Sequence, residues 1–266
     1  MRNAALIFAA AILALPVNSY AAAPAPTSVP VASEASPTSK TFSEAEKAAV
    51  EDVIKEYLTV KHPEVLMEAM RELQKREQAS AESKTKEAVN TSKDKIFNDP
   101  TSPVGGNPKG DVTVVEFFDY QCGYCKLSEE AIEKLIKEDK NVKVIYKEFP
   151  ILGPMSVTIS KAALASVKQG KYQKFHDALM KKKDKLSEDG LYQVAKENGI
   201  DVEKLKKDMG TDEMNALIAS NIKLGSEVGV RGTPMFIINE QVYPGALQYE
   251  QLKQAVDDAR AAAKKN

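Results

Sequence analysis

The sequence predicts an α/β domain that carries an all-helical insertion and follows a separate helical module. Three observations point there. A strand–helix–strand succession spans 112–149, helical patterning fills 155–228 almost throughout, and a turn-rich break near 99–108 cuts both off from two helical stretches upstream. The 266 residues suffice for one or two domains with a substantial core. Hydrophobic residues at 43 % and charged residues at 28 % are the balance of a soluble globular chain. A net charge of −1 supplies no field for nucleic acid, which excludes that class of partner.

At the start, Met1-Arg2-Asn3 precedes an apolar stretch from Ala4 to Val17, and Ser19, Ala21, Ala22 and Ala23 follow. One positive charge, a short apolar run and a small-residue site predict a secretory signal peptide over 1–22, cleaved after Ala21 or Ala23. The run is shorter than the roughly 20 residues of a spanning helix, which argues against a membrane anchor. With no cysteine near the cleavage site, lipid attachment there through a thiol is excluded. Residues 23–41, with Pro24, Pro26, Pro30 and Pro37 among Ala, Ser and Thr, read as a disordered linker.

Residues 42–97 read as a helical oligomerisation module. Ser43 and Glu46 fit a capping box, and Val50, Val53, Ile54, Tyr57 and Leu58 then share one helical face. Pro63 suits the first turn of a second helix, whose face carries Val65, Leu66, Ala69, Met70 and Leu73. Beyond Leu73 the apolar stripe fades, and 74–95 read either as a long polar helix or as a flexible arm. The two helices have two possible covers, the main domain or another copy of themselves. A helix pair set between a linker and a polar arm favours the second, so a homodimer or homotrimer is expected.

The break at Asp99-Pro100, Pro103, Gly105-Gly106 and Pro108 opens the main domain, 98–266. Val112 to Phe118 is a β-rich apolar run of the kind that sits centrally in a sheet. From Cys125 the pattern turns helical, with Leu127, Ala131, Ile132, Leu135 and Ile136 on one face. Val142 to Phe149 is a second strand, completing a βαβ unit. The helical insertion occupies about 151–228, punctuated by Gly170, Gly190, Gly199 and Gly210. A strand at Met235–Val242, a turn near Pro244-Gly245 and a helix from Tyr249 to Ala262 end the chain.

The chain has only two cysteines, Cys122 and Cys125, in a single C-x-x-C. In an exported protein disulfides persist, but neighbours three positions apart cannot staple distant segments, so reactivity is favoured over scaffolding. Zinc needs four ligands, or three and a water. The only histidines are His62 and His176, each read as an ordinary surface or half-buried residue, so no metal is expected unless two chains share a soft ion such as Cu(I). The redox reading gains from placement. Cys122 falls where a buried strand opens a helix, where free backbone N–H groups favour a thiolate, and Cys125 lies one turn inside as the shielded, resolving thiol. Glu116 stands among apolar neighbours in the strand, so its pKa is expected to be raised. It is placed to exchange a proton with the thiols, or to pair with a lysine such as Lys147 on the next strand, or both.

The run Val-Glu-Phe-Phe-Asp-Tyr-Gln-Cys-Gly-Tyr-Cys, the helical insertion and Gly232-Thr233-Pro234 together resemble the DsbA-like branch of the thioredoxin superfamily over about 98–266. The resemblance implies a thioredoxin-like fold and a catalytic set of Cys122, Cys125, Glu116 and Pro234, with Pro234 cis and facing a redox-active Cys122–Cys125 disulfide. It implies substrate contacts at Tyr124, Gly232 and Thr233, where backbone pairs with an extended peptide. The upstream helices, with Tyr57-Leu58 and His62-Pro63-Glu64-Val65-Leu66, resemble an oligomeric sub-branch that includes Com-type outer-membrane-associated antigens and ScsC-type copper-stress proteins. The expected activity is formation of disulfides, their isomerisation, or both, in exported, cysteine-containing proteins. It implies no cofactor, a membrane redox partner that resets the pair, and a periplasmic location with outer-membrane or surface association as a variant. Gly-Tyr in place of Pro-His brings no charge beside Cys122, which implies a less oxidising disulfide than in the strongly oxidising members. The rival from another class is a copper-binding, metal-stress protein using the same two thiols, and a third reading is a surface protein with a vestigial redox domain.

Overall fold

The computed structural model describes residues 42–264. The expected signal peptide over 1–22 and linker over 23–41 lie outside the described residues. The chain divides into two compact units, one ending at Pro63 and the other running from Glu64.

In the first unit, helix α1 (Glu44–Glu56) starts at Ser43. The Ser43 hydroxyl accepts the Glu46 N–H, and the Glu46 carboxylate accepts the Ser43 N–H at 2.8 Å, closing the capping box read from the sequence. A π-helical turn (Tyr57–Lys61) follows. No residue of either element is buried, and Val50, Val53, Ile54 and Tyr57 stand exposed.

The second unit begins with α2 (Glu64–Thr91), unbroken through the polar stretch, and the short α3 (Lys93–Phe97). The first turns of α2 expose Val65, Leu66, Met67, Met70 and Leu73, whereas Val89 near its end is fully buried. Five strands form one sheet in the order β1-β3-β2-β4-β5: β1 (Val104–Gly106), β2 (Val112–Phe118), β3 (Val142–Glu148), β4 (Met235–Ile238) and β5 (Gln241–Pro244). The central pair β2/β3 is parallel and every other pairing antiparallel. Helix α4 (Gly123–Glu138) makes the crossover between the parallel strands, as a βαβ unit requires.

Period-two alternation in β2 divides the core. Val112, Val114 and Phe118 face the larger cluster, under α4, the C-terminal helix α10 (Tyr249–Ala263) and the insertion helices α5 (Pro154–Ala165), α6 (Tyr172–Met180), α7 (Glu188–Glu197) and α8 (Val202–Met209). Val115 and Phe117 face a second cluster with Val89, Ile96 and the end of α9 (Asp212–Glu227). Among the described residues no helix is long and apolar enough to cross a membrane.

Two local expectations are corrected. Part of the presumed break at 99–108 is an edge strand, β1, whose Gly105 lies flat against Tyr146; a Cβ there would come within 2.9 Å of the ring. Glycines read as turn formers, yet here one permits close approach of backbone to an aromatic face. The single strand expected over Met235–Val242 is a hairpin, because Asn239 and Glu240 take φ of 47° and 71°. Positive φ at both central positions is the two-residue turn that matches strand twist.

Candidate active site

The turn from β2 into α4 places both thiols. It is pinned by Asp119, fully buried, whose Oδ1 accepts the Gln121 N–H at 2.8 Å. Its Oδ2 accepts the N–H groups of Ile151 and Leu152 at 2.9 and 3.0 Å, and its carbonyl accepts the Cys122 N–H at 3.0 Å. One carboxylate thus fixes the cysteine turn and ties to it the loop after β3.

Cys122 is the N-cap residue of α4, in extended conformation, and Cys125 sits one turn in. Both are free thiols. Cys122 is 7 % exposed and Cys125 not at all, so an approaching reagent meets the first sulfur only. The Cys122 Sγ–H donates to the Thr233 carbonyl at 3.2 Å, and the Thr233–Pro234 peptide is cis. The Cys125 thiol pulls the Cys122 pKa down to about 5 against the opposing effect of burial, aided by the Thr233 side chain and the backbone N–H groups of Cys125 and Tyr124. No cationic side chain is among these causes; the helix terminus and the neighbouring thiol do the work that a charged dipeptide would otherwise do. Burial pushes the Cys125 thiol far above the usual cysteine range, with the Cys122 sulfur and Glu116 adding to it.

The sequence-predicted residues converge in part. Cys122, Cys125, Thr233 and Pro234 meet at one point. Tyr124, 67 % exposed, and Gly232 are presented to solvent beside it. Glu116 is fully buried in β2, and both of its oxygens are without a hydrogen-bond partner among the described residues. Burial raises its pKa well above the carboxylate range, and the charges of Glu129, Cys122 and Glu148 raise it further. The expected pairing with Lys147 is not formed. Lys147 lies opposite Phe117 in the β2/β3 register, so it faces the other side of the sheet. There its Nζ donates to Asp99 at 2.7 Å and to the Lys95 carbonyl at 2.8 Å. Burial disfavours the Asp99 charge, yet bonds from Lys147 and Thr101 hold its pKa at about 2.

His176, expected at or near the surface, is fully buried. Its ring nitrogens contact the Tyr120 hydroxyl at 2.9 Å and Glu129 Oε2 at 3.2 Å. Tyr120 and Tyr172 also reach Glu148 Oε1, at 3.2 and 2.9 Å. Burial lifts the Glu148 pKa to about 7, with His176 drawing it down. Sequence reasoning missed Asp119, Glu129 and this histidine. The available signals were an aspartate straight after a strand, which builds a local turn, and Glu129 four positions after Cys125 on the same helical face.

Residues 113–257 match the model of the DSBA-like thioredoxin domain, and residues 46–80 match the copper resistance protein ScsC N-terminal domain. A thioredoxin-like oxidoreductase from Silicibacter pomeroyi DSS-3 is 46 % identical over a match that covers 63 % of this chain and 97 % of that one, with a TM-score of 0.62. A linker-deletion mutant of Proteus mirabilis ScsC is 27 % identical, covers 85 % of this chain and 100 % of that one, and has a TM-score of 0.63. Among curated relatives, a Na(+)/H(+) antiporter NhaA 3 from Salinispora tropica is 28 % identical over 163 residues, which are 60 % of this chain and 25 % of that protein. The chain therefore spans about a quarter of that relative's length.

Proposed function

The chain belongs to the DsbA-like thioredoxin-domain family of thiol–disulfide oxidoreductases, and from that membership we propose that it forms and isomerises disulfides in exported proteins through Cys122 and Cys125. The observation that carries this reading is the Cys122 thiol at the N-cap position of α4, 3.2 Å from the Thr233 carbonyl, with its pKa drawn down to about 5.

In the oxidised enzyme a substrate thiolate attacks Cys122 Sγ, forming a mixed disulfide and breaking the Cys122–Cys125 bond. The electron pair of that bond leaves on Cys125, which takes a proton from Glu116. A second substrate thiolate attacks the substrate sulfur of the mixed disulfide and displaces Cys122 as a thiolate. The substrate has lost two electrons and the enzyme has gained them; a membrane redox partner removes them again. In isomerisation, reduced Cys122 attacks a wrong disulfide, and Cys125 releases the enzyme when rearrangement stalls. Tyr124, Gly232 and Thr233 line the approach, where the backbone before Pro234 would pair with an extended peptide.

The low pKa sets a pH dependence with a definite sign. Reduced Cys122 has a folded-state pKa below the roughly 8.5 of a free thiol, so the reduced form gains stability that is complete above that value. The gain is lost as pH falls through about 5. Alkylation of the reduced protein is expected to reach half its plateau rate near pH 5, read by thiolate absorbance and iodoacetamide trapping. A midpoint near that of free cysteine would refute the site.

The decisive assay is oxidation of reduced, unfolded ribonuclease, with reactivation of scrambled ribonuclease as the isomerase arm. Stoichiometric Cu(I) binding by the two thiols with no activity in either arm would instead favour the copper reading, which the match of 46–80 to a copper-resistance domain recommends testing.

The apolar, exposed side chains of α1 and of the first turns of α2 support a homodimer or homotrimer formed through these helices. Deleting residues 24–95 is expected to give a monomer with altered isomerase activity, measured by light scattering and the scrambled-ribonuclease assay. An unchanged mass in solution would refute the module's role. The proposed working site is the periplasm, outer-membrane association being the variant.

A further inference from the structure

The exchange mechanism leaves His176 unused, although it lies with Glu129 and Glu148 on the sheet face that carries the cysteines. The protons of this cluster can be counted. Tyr172 and Tyr120 both donate to Glu148 Oε1, at 2.9 and 3.2 Å. A phenol has one proton, so with that proton directed at Glu148 the Tyr120 oxygen acts toward His176 Nδ1, 2.9 Å away, as an acceptor. On the other side of the ring, Nε2 faces Glu129 Oε2 at 3.2 Å, again an acceptor. With the Tyr120 proton on Glu148 and Glu129 Oε2 as the acceptor, both ring nitrogens donate, the arrangement that belongs to the imidazolium form.

The surroundings agree. Tyr120 comes from the β2–α4 turn, Glu129 from α4, Tyr146 and Glu148 from β3, and Tyr172 and Asp177 from α6, the helix of His176 itself. These groups are acidic or phenolic, and the buried Lys147 lies on the opposite face of the sheet. Burial works against a charged ring, yet the charge and hydrogen bond of Glu129 lift the His176 pKa above the ordinary histidine value. An isolated buried carboxylate is costly, whereas one matched to a buried cation can stay ionised. A charged carboxylate disfavours ionisation of the next carboxyl, and Glu129 is the first of the charges that raise Glu116.

We propose that His176 is a positioning residue of the thiol pair: an imidazolium clamped between Tyr120 and Glu129, it sets its positive charge against Glu129 on the face that carries Glu116 and the cysteines, and so tunes the proton exchange between Glu116 and the thiols. The proposal rests on the reading of Cys122 and Cys125 as a redox pair.

The test uses the full chain, reduced and labelled with nitrogen-15. With only His62 and His176 present, the ring signals are readily assigned. The expected result is that both His176 nitrogens are protonated at neutral pH; a ring with one bare nitrogen overturns the proposal. The second arm titrates the Cys122 thiolate and measures the reduction potential in His176→Gln, Glu129→Gln and the double variant. Removing the cation is expected to lower the acidity constant of Cys122 by roughly tenfold. Removing the anion is expected to raise it, and the double variant to fall back close to the parent. A merely structural role would move both single variants the same way, or neither, and either result overturns the proposal. If His176→Gln fails to fold, the ring signal of the parent protein still decides the charge. An ordinary, unreactive Cys122 in the parent would overturn the redox reading and the positioning role with it, and is distinguished because the ring charge is read separately.

Discussion

Replacing Cys122 with alanine is expected to abolish oxidation of reduced ribonuclease, a fall of roughly 10³-fold or more, because no other sulfur is placed to take over. Cys125 is fully buried and burial drives its pKa far up, so it is a poor substitute nucleophile. The reciprocal change, Cys125→Ser, is expected to leave attack intact while removing the escape route. Substrates then accumulate as mixed disulfides with Cys122, visible as reducible high-mass species on a non-reducing gel. The two variants thus fail in different ways, which separates a nucleophile–resolver pair from two equivalent thiols. Full activity in Cys122→Ala, or equal trapping by both variants, would remove the basis for the mechanism.

The second large effect concerns stability. Asp119→Ala leaves the N–H groups of Gln121, Ile151 and Leu152 without the carboxylate that now accepts all three. Bonds to a buried charged acceptor contribute about 1.5–3 kcal/mol each, and the orphaned donors relax in part, so a loss of about 4 kcal/mol is expected. Asp119→Asn keeps one oxygen but turns an N–H₂ group toward a donor, and its loss is expected to fall between the parent and the alanine variant. Urea denaturation of the reduced proteins checks both. A loss below about 1 kcal/mol in Asp119→Ala would mean that solvent satisfies these donors. The same change frees the loop that carries Ile151 and Leu152 beside the cysteine turn, so activity per folded molecule is expected to drop as well.

Much of this site was legible in the sequence, for reasons that can be named. The C-x-x-C at a strand–helix junction encodes a thiol at the start of the helix, because the apolar run of β2 and the 3.6-residue pattern after Cys125 locate the junction. Glu116 was visible as a lone carboxyl in an apolar strand. The choice of its partner was not, since assigning Lys147 to one face of the sheet requires the register of β3 against β2, and a shift by one residue reverses the face. His176 was misread because an amphipathic helix shows which side is apolar but not that a second polar layer from Glu129, Tyr120 and Glu148 waits beneath it. The hairpin at Asn239-Glu240 escaped notice because its second turn residue is a glutamate, where glycine is the usual signal.

The outermost strands of the sheet are three and four residues long, and Pro103 and Pro244 stand at their margins. Exposed rims of this kind invite stray chains to zip on, and brevity together with imino residues denies them room. For a protein whose proposed clients arrive unravelled, that economy carries a benefit of its own. A client segment has little reason to settle along either border of the sheet, so productive capture is channelled to the cysteine-bearing end, and the enzyme is spared from nucleating aggregates of the very molecules it handles.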